Sequence, residues 1–357
     1  MKKIDLYIIK KFLGTFFFSI VLILSIAIVF DITEHMDDFF ETQVSLKEII
    51  TDYYIPFIPY YMNMFSQLFI FIAVIFFTSK MASNSEIIAI LAGGVSYRRF
   101  VLPYMISATI LFLLCFILGG YVIPHATAKM LRFTDTYIHK FTSENAHNIH
   151  LMVEPNTILY IESFRKDQNM GYRASFETFE DKTLKERIIA ERIYYVEDYH
   201  WYFERYTKRT FEGLKEALER GERLDTTIHI YPNELFITQE MAQQMNNHEL
   251  YQYLKTQRLR GAGSLEAFET EWWKRWANPV GAFIMTLLGV TLSSKKQRGG
   301  TGKNLGIGIV LSAIYILFST VSTSFSVGGL MSSFTAVWLP NFLFLAISIA
   351  LYRKVSR

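Results

Sequence analysis

The sequence predicts an α-helical membrane protein with six transmembrane helices and an all-β domain inserted between the third and fourth. Three observations predict it. Long uncharged apolar runs lie toward both ends of the 357-residue chain, while the middle third is rich in charge. Lys and Arg collect in alternate short loops. The charged middle alternates polar and apolar residues at period two between turn signals.

A bilayer core about 30 Å thick needs roughly 20 apolar residues of helix. Phe12 to Phe30, Tyr53 to Ser79, Val101 to Pro124 and Trp276 to Ser294 each supply one uncharged run. From Asn304 to Tyr352 no residue is charged. That stretch is too long for one span and right for two, with a break predicted near Ser322 to Ser333, around Gly328 and Gly329. The first run follows Lys2, Lys3, Lys10 and Lys11 as in a signal peptide. It exceeds a signal h-region, and an acidic stretch follows it rather than a small-residue cleavage site, which predicts an uncleaved anchor.

Orientation is read from Lys and Arg in the short loops. With six spans, the N-terminal lysines, then Lys80, Arg98 and Arg99, then Lys295, Lys296, Arg298 and Lys303, and finally Arg353, Lys354 and Arg357 all fall on one side. The loop from Asp31 to Asp52 has one basic residue, Lys47. Both termini are therefore expected in the cytoplasm, and the insert outside it.

The expected organisation is residues 1–124 with helices one to three and a cytoplasmic helix at about 83–96, then an all-β domain over 125–270, then helices four to six over 271–357. Within the insert, Thr157 to Ile161, Tyr172 to Phe179, Arg187 to Tyr195, Tyr199 to Tyr206 and Thr226 to Tyr231 read as antiparallel strands. Five or six such strands suit a small sandwich or open barrel. His248 to Leu254 reads as a helix, with Gly261 and Gly263 beyond its end, and a further helix is expected from about Leu265 into the fourth span.

Several function classes are weak or excluded. A net charge of +3 gives no argument for nucleic acid. Cys115 is the lone cysteine, which rules out an intramolecular disulfide and a multi-Cys zinc site. Gly299-Gly300-Thr301-Gly302-Lys303-Asn304 is not a phosphate loop, because Gln297 and Asn304 stand where Gly and Ser or Thr are needed. His147 and His150, flanked by Glu144 and Glu154, match no zinc spacing, so no metal is assigned. The apolar spans carry no ionisable group of the kind a proton-coupled carrier keeps at mid-membrane.

Four segments resemble the paired transmembrane subunits, F and G, of the lipopolysaccharide-export ABC transporter. Asp5-Leu6-Tyr7-Ile8-Ile9-Lys10-Lys11-Phe12 resembles that family's amphipathic approach to the first helix, more in the manner of the G-type subunit. Ser85-Glu86-Ile87-Ile88-Ala89 through Ala92-Gly93-Gly94-Val95-Ser96 resembles its cytoplasmic coupling helix. Asn156 to Glu162 resembles an early jellyroll strand. Glu249-Leu250, Gly261, Glu271, Lys274-Arg275 and Pro279 resemble the passage into its fourth helix. The resemblance spans nearly the whole chain. It implies an inner-membrane permease with a periplasmic β-jellyroll-like domain, a homologous second permease, a dimeric cytoplasmic ATPase, a periplasmic β-jellyroll lipid carrier and lipopolysaccharide as cargo. It implies no catalysis and no cofactor in this chain, with ATP and Mg used by the partner ATPase.

Two sets of site residues follow. Ile87, Ile88, Ile90 and Leu91 form an apolar stripe at helical spacing, Glu86 suits the first turn, and Gly93-Gly94 would end the helix. On the resemblance, Glu86, Ile87, Ile90, Leu91 and Gly93 dock the ATPase. The other reading of the stripe is a helix lying on the inner leaflet. For lipid, Lys129 and Arg132 lie one helical turn apart beyond Pro124 and could meet phosphates or simply anchor the membrane boundary. By analogy with the family's lateral gate, Phe16, Phe17, Phe18, Ile314, Leu317 and Phe318 would line acyl chains, although such residues also suit bulk lipid. One departure stands out: Asp31, Glu34, His35, Asp37 and Asp38 occupy the outer end of the first helix, where some family members are basic. A solvated acidic loop or a divalent-cation bridge to lipid phosphate accounts for that stretch. Rival readings are a permease for another envelope lipid, lipoprotein or peptide, and a membrane enzyme modifying envelope lipids.

Overall fold

The computed structural model describes residues 3–138, 145–154, 156–180, 183–213, 215–235, 239–259, 265–295 and 300–356. The chain forms two compact units. One comprises Met1–Ile138, Gln243–Asn247 and Glu269–Arg357; the other comprises His139–Ala242 and His248–Phe268. Glu144, the predicted stops Gly261 and Gly263, and Lys296 to Gly299 lie outside the described residues, as does the side chain of His147.

The helical unit opens with α1 (Lys3–Glu34), then the short α2 (Met36–Thr42) and α3 (Leu46–Glu48). α4 (Ile55–Met64) and α5 (Ser66–Ser83) follow, separated at Phe65. α6 (Glu86–Ala92) precedes α7 (Tyr97–Ile117), which continues through a π-helical turn, Leu118–Val122, into α8 (Ile123–Phe133). Beyond the β insert come α9 (Gln239–Gln244), α10 (Asn247–Leu259), α11 (Glu266–Ser293), α12 (Gly300–Val327) and α13 (Ser333–Val355). Among the described residues, six helical segments are long and apolar enough to cross a membrane, as the sequence predicts. The break in the last apolar stretch falls where expected, with Gly329 at φ 72 and the Ser332 side chain capping α13 through Thr335 N–H.

α5 is the centre of this unit: 72% of its span is buried, against 22% for α1 and for α12. Phe69 to Ile75 on α5 joins Ile8, Phe12 and Phe16 of α1, Tyr104 and Leu111 of α7, and Met285 and Leu288 of α11 in one core. Small residues let helices approach it. A Cβ on Gly289 of α11 would stand 2.8 Å from Val74, and one on Gly308 of α12 would run into Ile75. Polar side chains tie the spans: Gln67 Nε2 donates to Asn278 O at 2.6 Å, Asn304 Nδ2 to Ser79 Oγ at 3.0 Å, and Tyr315 Oη to Asn341 Oδ1 at 2.7 Å.

Among the described residues, the other unit is built on one six-stranded antiparallel sheet: β1 (Asn145–Glu154), β2 (Thr157–Arg165), β3 (Met170–Glu180), β4 (Thr183–Glu197), β5 (His200–Glu212) and β6 (Lys215–Thr227), paired in sequential order. The expected all-β insert is present, and its connectivity among the described residues is a meander. Alternate residues form its core: Ile149, Leu151 and Val153, Leu159 and Ile161, Ile188 and Ala190, Trp201 and Phe203. Trp201 Nε1 donates to Ile230 O at 3.1 Å, fastening the segment after β6 to that core. Where β3 and β5 pass a common row, Arg173 (φ 49) and Arg205 (φ 51) adopt left-handed backbone and pair with Glu162 at 3.0 Å and Glu191 at 2.9 Å.

β1 and most of β6 have no counterpart among the strands read from sequence. Lys215-Glu216-Ala217-Leu218-Glu219-Arg220 consists of good helix formers, and only pairing with β5 along its length draws it into the sheet. The strand read at Thr226 to Tyr231 shrinks to the last residues of β6.

Candidate functional site

At the end of the helical unit that carries Lys10 and Lys11, α6 follows α5 through a left-handed Ser85 (φ 62). Its apolar residues do not all face outward. Ile87 is 1% exposed and belongs to the bundle core, and Ile90 and Leu91 pack against that core from α6. A helix this short, held between two spans, satisfies its apolar stripe mostly against its own bundle. Ile87 therefore offers no surface to a partner, which corrects its assignment as a docking residue. Ile88 is 55% exposed, and Ala89 and Ala92 are exposed beside it. Glu86 accepts from Tyr7 Oη at 3.3 Å and from Asn84 Nδ2 at 3.2 Å, so α1 positions its carboxylate. The helix ends at Gly93, whose N–H reaches Ala89 O, and the left-handed residue is Gly94 at φ 82. Nearby, Arg99 and the buried Asp5 join α7 to α1 at 2.6 Å.

The residues expected to line acyl chains divide. Phe16 is fully buried in the helical core and presents nothing to lipid, which corrects its assignment. Sequence could not separate it from Phe17, because three consecutive phenylalanines point in three directions around a helix. Phe17 and Phe18 are exposed, as are Ile314 and Leu317, while Phe318 is half-buried. Outward faces of α1 and α12 thus remain apolar and uncovered.

Lys129 and Arg132 are exposed on α8. Lys129 Nζ is 2.8 Å from Asp52 and donates to Thr51 O at 3.0 Å. The contact of the Lys129 ammonium with Asp52, first among the causes, holds the Asp52 carboxyl below its usual range. The acidic stretch is also partly structural: Asp31 accepts from Tyr53 Oη at 3.1 Å and Tyr54 Oη at 3.0 Å, inside an aromatic cluster with Phe57 and Phe133. Among the described residues no group of His, Cys, Asp and Glu could hold a metal ion.

Sequence reasoning missed the function of Tyr7 as the hydrogen-bond partner of Glu86, since nothing local signals a contact across so many residues. It also missed a polar cavity of about 240 Å³ in the helical unit, lined by Asn63, Gln67, Gly119, Lys274, Asn278 and Ser319 among others.

No curated protein matches this sequence. Residues 6–354 match the family described as lipopolysaccharide export system permease LptF/LptG. A match over nearly the whole length joins the six spans, the inserted antiparallel sheet and the short helix between the second and third spans in one assignment. The chain is a multi-pass membrane protein of the LptF/LptG lipopolysaccharide export permease family.

Proposed function

We propose that the chain is one permease subunit of an ATP-driven lipopolysaccharide exporter in the inner membrane, with both termini in the cytoplasm and the sheet in the periplasm. It pairs with a homologous permease, a dimeric ATPase docks at α6, and ATP and Mg are used by that ATPase. Lipid leaves the membrane laterally along α1 and α12 and passes to a periplasmic β-rich carrier through an open sheet edge. The observation that carries this reading is the family match over residues 6–354. Two features support its details. The outward faces of α1 and α12 leave apolar surface for lipid or a second permease. The exposed side of α6 offers Ile88 beside Glu86, which suits a groove with a basic rim.

Purification of the complex in mild detergent, followed by native mass spectrometry, tests the reading. An ATPase dimer, a second permease and lipid A species should accompany the chain. A lone chain without them would overturn it.

A further inference from the structure

The polar cavity lies among α4, α5, the α7–α8 helix, α11 and α12, in the half of the helical unit remote from Lys10 and Lys11. Backbone irregularity gathers there: Phe65 interrupts the passage from α4 to α5, and Gly119 belongs to the π-helical turn between α7 and α8. Irregular backbone at membrane depth is tolerated where it lines a polar cavity.

Three charged side chains reach this cavity. Glu271 and Arg275 neutralise each other, with Nε 3.1 Å from the carboxylate. Lys274 has no such partner: among the described residues it makes no ion pair or hydrogen bond. The side chains of Asn63, Asn278 and Ser319, also on the wall, make none either. Met64, Phe65, Ile123 and Ile316 are among its apolar walls. One unpaired cation, three unused hydrogen-bonding side chains and apolar neighbours suit an anion with several acceptor oxygens attached to a hydrocarbon. The cavity uses the inward side of α12, through Ile316 and Ser319, whereas Ile314 and Leu317 face outward.

We propose that this cavity binds the phosphate headgroup of an anionic amphiphile within a single chain, at a site separate from the outward faces of α1 and α12. The site does not depend on the export reading, since it needs only the membrane-embedded chain.

The test uses the full-length protein, purified in a neutral detergent with its accompanying subunits, and short-chain phosphatidic acid as the probe. Phosphatidylcholine of the same chain length and inorganic phosphate are the comparison arms. Wild type should bind phosphatidic acid, with Lys274→Gln weakening it about tenfold or more and Lys274→Arg staying within about threefold. Ser319→Val should weaken it a few-fold, and decides the matter if Lys274→Gln does not fold. The proposal is overturned by unchanged affinity in the folded variants. It is equally overturned if phosphatidylcholine binds as well as phosphatidic acid, or if inorganic phosphate displaces the probe at equal concentration, which would mark a free-anion site.

Discussion

Arg275 lies inside a helix long enough to cross a membrane, yet its side chain is only 3% exposed. Its guanidinium reaches Glu271, donates to Asn247 Oδ1 at 3.0 Å and to Met245 O at 2.7 Å. A planar fork spreads its five donors over three nitrogens and so reaches three acceptors set apart from one another, whereas the donors of an ammonium all radiate from one nitrogen. The i, i+4 spacing to Glu271 was legible in the sequence. The two partners near the start of α10 were not, because only the fold brings them within reach. Arg275→Leu would leave the mostly buried Glu271 without its counter-charge, at a cost of about 3 kcal/mol. Thermal unfolding in detergent should show that loss, and Arg275→Lys should recover little of it. Asp52 holds Lys129, so Asp52→Asn should loosen it and strengthen binding of anionic vesicles to the reconstituted complex. Because the Asp52 carboxyl titrates below its ordinary value when folded, the tie is intact at neutral pH and is lost as the pH falls through that lowered value. If Lys129 has no part in meeting phosphates, the substitution leaves vesicle binding unchanged.

Among the elements, α6 shows where periodicity succeeds and where it stops. Apolar spacing and the glycines after it suggest a helix at about 83–96, and α6 spans Glu86–Ala92. The spacing could not say which apolar residues turn inward, since four of them on so short a helix cover more than one face. Two substitutions should therefore part company. Ile87→Ala opens a cavity in the bundle core and should destabilise the chain by about 2–5 kcal/mol. Ile88→Asp touches no core and should leave unfolding unchanged while reducing ATPase co-purification. Glu86→Lys should abolish that co-purification, whereas Tyr7→Phe, which removes one hydrogen bond and keeps the charge, should only weaken it. Equal ATPase recovery with Glu86→Lys would remove α6 from the coupling interface. In the sheet, β2 to β5 were legible because inward and outward residues alternate along them. β1 carries the same signal in Ile149, Leu151 and Val153, but only over its second half. β6 carries no such signal: it is an exposed, charged edge, and nothing in a helix-forming sequence announces it.

For the molecule as a whole, hydropathy counted the spans because each must satisfy its own backbone in lipid, a constraint that acts segment by segment. The packing order was beyond it. α1 is the more apolar string of the two, yet α5 is central and α1 largely uncovered. Orientation is the global property on which the export reading turns, and it rests on charge bias alone. Cysteine labelling tests it with an unusually quiet background, because the one native thiol, Cys115, is buried. Lys215→Cys places a thiol on the exposed β6 edge, and Lys354→Cys places one near the end of α13. In intact inner-membrane spheroplasts a membrane-impermeant maleimide should modify the first and spare the second. Lysis should make both reactive. Because β6 and the end of α13 are separated by three spans, the two sites must report opposite sides if the helices cross as the sequence requires. Labelling of Lys354→Cys alone in intact spheroplasts would put the sheet in the cytoplasm, where it could hand nothing to a periplasmic carrier.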